Sequence, residues 1–200
     1  MIASTHYKFV ALNNPKCGST SIRRMLQRHC DISHETNEQI QHHMNYRKAS
    51  IILGEMDIDI SEYYVFTTTR NPWDRVVSAF HYGQRNTASV WHKLLNEAEG
   101  DFNRFAMLIG LEGRPLPPKT FDFAVDHQRN LRTHIFMMEH MNTLTQEINR
   151  RFGLPIDTIH ENKSERGHHN KYFNAESRNR IAEIYHIEAA VFGYTFESAA

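Results

Sequence analysis

The sequence is poor in cysteine and has no long apolar run, and both absences narrow the class of protein. Two cysteines, Cys17 and Cys30, are too few for a disulfide scaffold, so we expect a reduced chain. No apolar run approaches the roughly 18 residues that a transmembrane helix needs. The first eight residues (MIASTHYK) lack the apolar stretch of a signal peptide. These features predict a cytoplasmic protein without a membrane span.

The chain also has no net charge, because 23 Lys and Arg residues balance 23 Asp and Glu residues. A nucleic-acid-binding protein normally carries a basic excess, so we predict no nucleic-acid partner. The hydrophobic content of 40% and the mean hydropathy of −0.60 are typical of a globular chain. A length of 200 residues without an internal repeat favours one domain over residues 1–200.

Two strand-to-helix turns are predicted in the first half of the chain. Residues 7–13 (YKFVALN) are short and apolar, which predicts a buried strand, and residues 20–29 predict an amphipathic helix with Ser19 or Thr20 as its N-cap. Residues 63–69 (YYVFTTT) predict a second strand, because they are rich in aromatic and β-branched side chains. A helix over residues 73–82 follows directly.

The rest of the chain continues the alternation of strands and helices. We predict helices within residues 91–110, 142–152 and 175–191 and a short strand over 134–138. Residues 31–47 predict a loop with some helix, and residues 111–119 and 160–170 predict loops. This order predicts an α/β fold with a P-loop-like central parallel sheet flanked by helices.

An anion-binding loop is predicted in the first turn, which reads NPKCGSTS over residues 14–21. A turn between a strand and a helix directs backbone N–H groups and the helix dipole at one point. Gly18 allows close approach of the backbone, and Lys16 adds a positive charge. A Walker A loop needs an earlier glycine and places its lysine after the second one, whereas Lys16 precedes Gly18. The pattern therefore speaks against an ATP-dependent kinase.

A second anion-binding group is predicted in the second turn. Arg70 follows the strand at its carboxyl end, where ligands of open α/β sheets bind. Ser78 lies about two helical turns further on, within reach of the same anion. Asp74 and Arg75 are adjacent opposite charges, which we interpret as structural or solvated rather than catalytic.

The segments PKCGSTSI and FTTTRNPWDRVVSAF resemble the two nucleotide-binding motifs of sulfotransferases that use 3′-phosphoadenosine 5′-phosphosulfate (PAPS). The carbohydrate sulfotransferase branch, with its Golgi and bacterial members, is the most similar. The resemblance implies that the first loop binds the 5′-phosphosulfate and that Arg70 and Ser78 bind the 3′-phosphate. The loop residues so implied are Lys16, Cys17, Gly18, Ser19, Thr20 and Ser21.

The resemblance extends to the C-terminal part of the chain. The segment HENKS over residues 160–164 is similar to a late Asn-Lys-Ser element of the family, and FGYTF over residues 192–196 is similar to its closing element. The family comparison implies that Ser164 binds the cofactor and that the loop around Lys163 and Arg166 closes over the nucleotide.

Sulfuryl transfer to a hydroxyl needs a base for the acceptor proton and a cation near the leaving oxygen. Lys16 is the candidate for the cation. Members of this branch often carry a histidine between the two motifs, and the resemblance implies His43 as the general base. His42 and Glu55 remain alternatives. The pair His168-His169 has no accompanying ligand pattern, so we predict no metal site.

The sequence thus predicts a PAPS-dependent O-sulfotransferase acting on a hydroxyl acceptor, and the resemblance implies that this acceptor is a carbohydrate. Two alternatives stay open. One is a catalytically degenerate module of the same fold that binds nucleotide or glycan, and the other is a P-loop-type kinase.

Overall fold

The computed structural model of the chain describes residues 1–158 and 167–197. Their contacts divide them into two units. The first comprises Met1–Thr69 and the described part of residues 120–164, and the second comprises Arg70–Lys119 and the described part of residues 165–200. The single domain over residues 1–200 stays a prediction.

A five-stranded sheet forms the centre of the first unit. Its strands are β1 (Ile2–Ser4), β2 (Phe9–Leu12), β3 (Ile32–Ser33), β4 (Tyr64–Thr69) and β5 (His134–Met137), in the order β3-β1-β2-β4-β5. β2 pairs in parallel with β4, and β4 pairs in parallel with β5. β1 pairs antiparallel with both β2 and β3. The strands predicted from the sequence are the three parallel ones.

The sheet is mixed rather than wholly parallel, and the reason lies in its first connection. Only residues 5–8 join β1 to β2, whereas a parallel crossover needs a dozen residues or more. The chain therefore returns as a hairpin, with Lys8 at a φ of 52°. Both predicted anion-binding turns follow strands of the parallel half, β2 and β4.

Helices flank the sheet and form the second unit. They are α1 (Ser19–Leu26), α2 (Tyr46–Gly54), α3 (Pro72–Arg85), α4 (Val90–Glu97), α5 (Phe102–Leu108), α6 (Thr120–Ala124), α7 (Met141–Phe152), α8 (Ala175–Ile184) and α9 (His186–Phe192). Of the helices in residues 1–158 and 167–197, none is long and apolar enough to cross a membrane.

Side chains of β2 alternate between two apolar clusters, as the period of a strand requires. Val10 and Leu12 pack in a cluster with Ala49 and Leu53 of α2. Phe9 and Ala11 pack in the other cluster, which contains residues of α1 and α7. The sheet of the first unit is therefore covered by helices on both faces, and the predicted α/β class is confirmed.

Three helix predictions are corrected by the structure. The helix predicted from residue 20 begins at Ser19, and its N-cap is Gly18 instead of Ser19 or Thr20. The helical region 91–110 breaks between α4 and α5, where Glu99 and Gly100 take positive φ values of 55° and 77°. The helix predicted over 175–191 is divided at Tyr185 into α8 and α9.

The second unit packs α3 against α4, α5 and α8 around one apolar core. Gly83 of α3 allows this approach, because a Cβ there would lie 2.7 Å from the backbone oxygen of Trp91. Helix α3 is the element that carries the second predicted anion-binding group.

Candidate active site

The loop after β2 is fixed to the carboxyl end of β4 by buried hydrogen bonds. Asn14 donates from Nδ2 to the backbone oxygen of Thr68 at 3.1 Å and to Oγ1 of Thr120 at 3.3 Å. Thr68 donates from Oγ1 to the backbone oxygen of Cys17 at 2.5 Å. Since these groups are buried, their bonds hold the loop in one conformation.

The backbone of the loop turns sharply at two positions before α1 begins. Lys16 has a φ of 64° and Gly18 a φ of 81°, both in the left-handed region. Gly18 is the N-cap of α1 and has no side chain to accept from the amides of the first turn, which contains no acidic residue. The first turn of a helix presents N–H groups and a partial positive charge, so this start of α1 is chemically suited to an anion.

The hydroxyl-bearing residues of the loop lie at the first turn of α1. Ser19 and Ser21 are buried, and Thr20 is partly exposed, as is Lys16. Cys17 is fully buried, and its backbone oxygen is held by Thr68. The predicted loop residues are therefore brought together around the start of one helix.

Gly18 also lies against two methionines of the segment that follows β5. A Cβ at this position would be 3.0 Å from Cγ of Met138 and 3.1 Å from Cε of Met141. The absence of a side chain at Gly18 thus serves both the positive φ and the close packing. Sequence reasoning missed the methionines, since nothing in the sequence relates them to the loop.

His43, the predicted base, lies beside the start of the same loop. Its Nδ1 atom is 2.7 Å from the backbone carbonyl oxygen of Asn13, the residue after β2 ends, and its side chain is exposed. A carbonyl oxygen only accepts, so Nδ1 carries the hydrogen and Nε2 carries the lone pair in the neutral ring. This tautomer is suited to removing a proton at Nε2.

The two alternative bases, His42 and Glu55, differ in what speaks against them. Burial, followed by the neighbouring His43 ring, lowers the pKa of His42 to about 4. A group with this pKa is a weak base at neutral pH. Glu55 follows the end of α2, whereas His43 precedes its start, and nine residues of helix correspond to about 14 Å. The geometry therefore favours His43 of the three.

In the second unit, Arg70 is paired with a buried carboxylate. Arg70 donates from Nε to Oδ2 of Asp74 at 2.5 Å, and its Nη2 atom contacts the same oxygen. The side chain of Arg70 is 12% exposed and that of Asp74 is 2% exposed. Asp74 and Arg75 are both buried, so the interpretation of these charges as solvated is wrong and only the structural alternative remains. The i,i+4 spacing of Arg70 and Asp74 was the sequence signal for this pair.

Ser78 lies four residues beyond Asp74 on α3, and its side chain is partly exposed. Since α3 begins at Pro72, Asp74 and Ser78 lie one helical turn apart on the same face of this helix. Arg70 precedes the helix, and its contact with Asp74 is what relates its guanidinium to this face.

The C-terminal segment packs against the start of α3 within the second unit. Asn71, the N-cap of α3, donates from Nδ2 to the backbone oxygen of Thr195 at 3.0 Å. The rings of Trp73 and Phe196 meet edge to face at 5.7 Å between centroids. The closing element quoted from the sequence therefore supports the residues that follow Arg70.

The HENKS element, with Ser164, and the neighbouring Arg166 lie outside the described residues, so their roles remain predictions. Within residues 1–158 and 167–197, no group of three or more His, Cys, Asp or Glu side chains is arranged to hold a metal ion.

An α/β sheet with a loop between a parallel strand and the start of a helix is typical of proteins that bind nucleotides. The model of the sulfotransferase family matches residues 1–195. The chain therefore belongs to the sulfotransferase family, and the predicted family and enzyme class are confirmed. A comparison with curated proteins found no match.

Among solved structures, the chain is similar to the crystal structure of the mouse sulfotransferase SULT7A1 complexed with PAP. The sequences are 15% identical, the TM-score is 0.56, and the match covers 94% of this chain and 86% of that chain. At this identity the likeness shows the fold, and it agrees with the fold predicted from the sequence.

Proposed function

We propose that this sulfotransferase transfers the sulfuryl group of PAPS to a carbohydrate hydroxyl, with His43 as the general base. The start of α1, with its side-chain-free N-cap and the adjacent Lys16, is the observation that carries the proposal. The SULT7A1 structure was solved with PAP, the nucleotide that remains when PAPS has lost its sulfuryl group. When bound, PAPS supplies an activated sulfuryl group.

The residues of the loop fit the 5′ end of such a nucleotide. Lys16 supplies a positive charge beside the oxygen that links sulfur to phosphorus, and it stabilises the negative charge left on that oxygen. The amides at the start of α1 and the hydroxyls of Ser19, Thr20 and Ser21 donate to the remaining oxygens. Arg70 and Ser78 bind the 3′-phosphate, for which a guanidinium group is the best-matched side chain.

His43 takes the proton of the acceptor during transfer. The acceptor oxygen forms a bond to sulfur, the bond between sulfur and the bridging oxygen breaks, and the hydroxyl proton moves to Nε2 of His43. The carbonyl of Asn13 keeps its bond to Nδ1–H throughout and stabilises the imidazolium that forms. Positioning and charge stabilisation supply the catalysis, as in phosphoryl transfer.

A carbohydrate acceptor is supported by the resemblance to the carbohydrate branch and by a cavity in the second unit. This cavity of about 440 Å³ lies between α4 and residues 113–115 of the loop that follows α5. Its lining combines apolar and charged side chains, from Val90, Lys93, Leu94, Glu97, Arg114 and Pro115. Mixed lining of this kind suits a ring with one apolar face and several hydroxyls.

We also propose a cytoplasmic location.

The test is transfer of labelled sulfate from PAPS to a panel of saccharides, phenols and lipids. We expect a saccharide product with the wild type and a loss of at least about 100-fold in turnover with Lys16→Met, since one donor to a developing negative charge contributes that much. Lys8→Met is the matched control. Lys8 precedes β2, has a positive φ as Lys16 does, and pairs at the surface with Glu62.

Three outcomes would contradict the proposal. Binding of PAP without transfer to any acceptor would favour the degenerate binding module. Binding of ATP with Mg²⁺, but not of PAP, would favour a kinase. Transfer to phenols or lipids alone would retain the enzyme class and remove the carbohydrate.

A further inference from the structure

Asp74 occupies an unusual position for an anion-binding site, because it places a negative charge beside the arginine that is to bind a phosphate. Its side chain is 2% exposed, and its Oδ2 atom contacts Arg70. A buried carboxylate is costly unless it is paired and hydrogen-bonded. The pair with Arg70 therefore stabilises the buried charge of Asp74, and we next ask what the same pair does for Arg70.

The contacts define which edge of the guanidinium faces Asp74. A guanidinium group has five N–H donors in one plane, and the Nε and Nη2 atoms form one side edge. Both of these atoms contact Oδ2 of Asp74. Since the plane is rigid, an anion held on this side edge also sets the direction of the end that carries Nη1.

We infer that Asp74 is a positioning residue that holds Arg70 by its Nε–Nη2 edge and so directs its Nη1 end at the 3′-phosphate of the nucleotide. The inference rests on the proposed function, in which Arg70 binds that phosphate. Asp74 does not touch the nucleotide in this assignment and acts only through Arg70.

The charge of Asp74 and its geometry have opposite effects on binding. The carboxylate repels a phosphate, which lowers affinity, while its oxygen orients the guanidinium, which raises affinity. Asparagine retains a side-chain oxygen at the same place without the charge. If orientation is the role, Asp74→Asn keeps the preference for a 3′-phosphate, whereas Asp74→Ala loses it.

The experiment compares the affinities for PAP and for adenosine 5′-monophosphate, which lacks the 3′-phosphate. The measured quantity is the dissociation constant of adenosine 5′-monophosphate divided by that of PAP, so a high ratio means a preference for the 3′-phosphate. We expect Asp74→Ala to lower this ratio about tenfold by weakening PAP alone, which corresponds to about 1.4 kcal/mol. Asp74→Asn keeps the ratio near the wild-type value. In an Arg70→Met background Asp74→Ala has no further effect on the ratio, because the residue acts through Arg70.

Asp126→Ala is the matched control for the loss of a similar ion pair. Arg132 donates from Nε to Oδ2 of Asp126 at 2.8 Å in the first unit. This variant is expected to lose stability without changing the ratio. If Asp74→Ala does not fold, Arg70→Lys tests the same point. A flexible ammonium has no edge to hold, so we expect the ratio to fall although the charge remains.

Several results would overturn the inference. Equal weakening of both nucleotides by Asp74→Ala, the same effect of that change in the Arg70→Met background, or an unchanged ratio in Arg70→Lys would each remove the positioning role. A wild-type ratio near one is a different failure, because it removes the 3′-phosphate from the proposed function itself.

Discussion

His43 points one ring nitrogen at the backbone of Asn13, with 2.7 Å between Nδ1 and the carbonyl oxygen. The bond links the candidate base to the first residue after β2, immediately before the predicted anion-binding loop. Because Asn13 directly follows a strand of the sheet, its carbonyl holds the ring in one orientation and one tautomer. The arrangement leaves Nε2 as the basic atom.

We expect His43→Asn to abolish most of the turnover and to leave binding of PAP unchanged. The amide nitrogen of asparagine can replace Nδ1 as a donor to the Asn13 carbonyl, but no basic atom replaces Nε2. Loss of a general base lowers kcat by about 10²–10⁴-fold. Rate measurements with PAPS, and calorimetry with PAP, separate the two effects. His42→Asn serves as the comparison, and an equal or larger loss of kcat in that variant would move the base to His42.

The neighbouring residues Asn13 and Asn14 are both fully buried but differ in their hydrogen bonds. The amide of Asn14 donates to Thr68 and Thr120. Neither amide atom of Asn13 has a partner in the part of the chain that the structure describes. An unsatisfied buried polar group destabilises by about 1–3 kcal/mol.

The two asparagines therefore predict opposite responses to the same substitution. Asn13→Leu replaces the unsatisfied amide with an apolar group of similar shape, so we expect an unchanged or higher free energy of unfolding. Asn14→Leu removes two buried bonds and leaves acceptors unsatisfied, so we expect a loss of about 2–4 kcal/mol. Urea denaturation of both variants measures the difference. Equal destabilisation would contradict this view of Asn13.

Gly18→Ala is expected to destabilise the loop through both backbone strain and contact. A left-handed φ costs a residue with a Cβ about 1–2 kcal/mol. The Cβ would also lie 3.0 Å from Met138, whose side chain must shift. Gly153→Ala is the control, since Gly153 has a φ of 66° but nothing within 4 Å of its Cβ position.

The comparison of these glycine variants should separate strain from function. Both are expected to lower the melting temperature, and only Gly18→Ala is expected to weaken binding of PAP, because Gly18 caps α1. A parallel loss of PAP affinity in Gly153→Ala would mean that binding responds to stability in general.

The positions of the two candidate loops could be predicted from the sequence because both depend on local pattern. The apolar runs before Asn14 and Arg70 identify β2 and β4, and the amphipathic residues after them identify α1 and α3. Parallel strands then bring their carboxyl ends to one edge of the sheet. The three predicted strands are those of the parallel half.

The features that the sequence could not supply depend on contacts between distant segments. The short strands β1 and β3 contain three and two residues, too few for a periodic signal. The bonds from Asn14 to Thr68 and Thr120 span 54 and 106 residues. Burial of Asp74 also depends on tertiary packing, which the charged pair in the sequence does not reveal. Local rules therefore locate the site, and long-range contacts determine its shape.

The lowered pKa of His42 predicts a loss of stability in mild acid. The unfolded chain takes up a proton near the ordinary histidine value of 6.5, whereas the folded chain resists until about pH 4. Between these values the unfolded state binds more protons, so the free energy of unfolding falls as the pH falls from 6.5 towards 4. We expect urea denaturation at several pH values to give a shallower decline in His42→Asn than in the wild type, with no divergence in slope above pH 6.5. Parallel curves across this interval would show that the histidine is equally easy to protonate in both states.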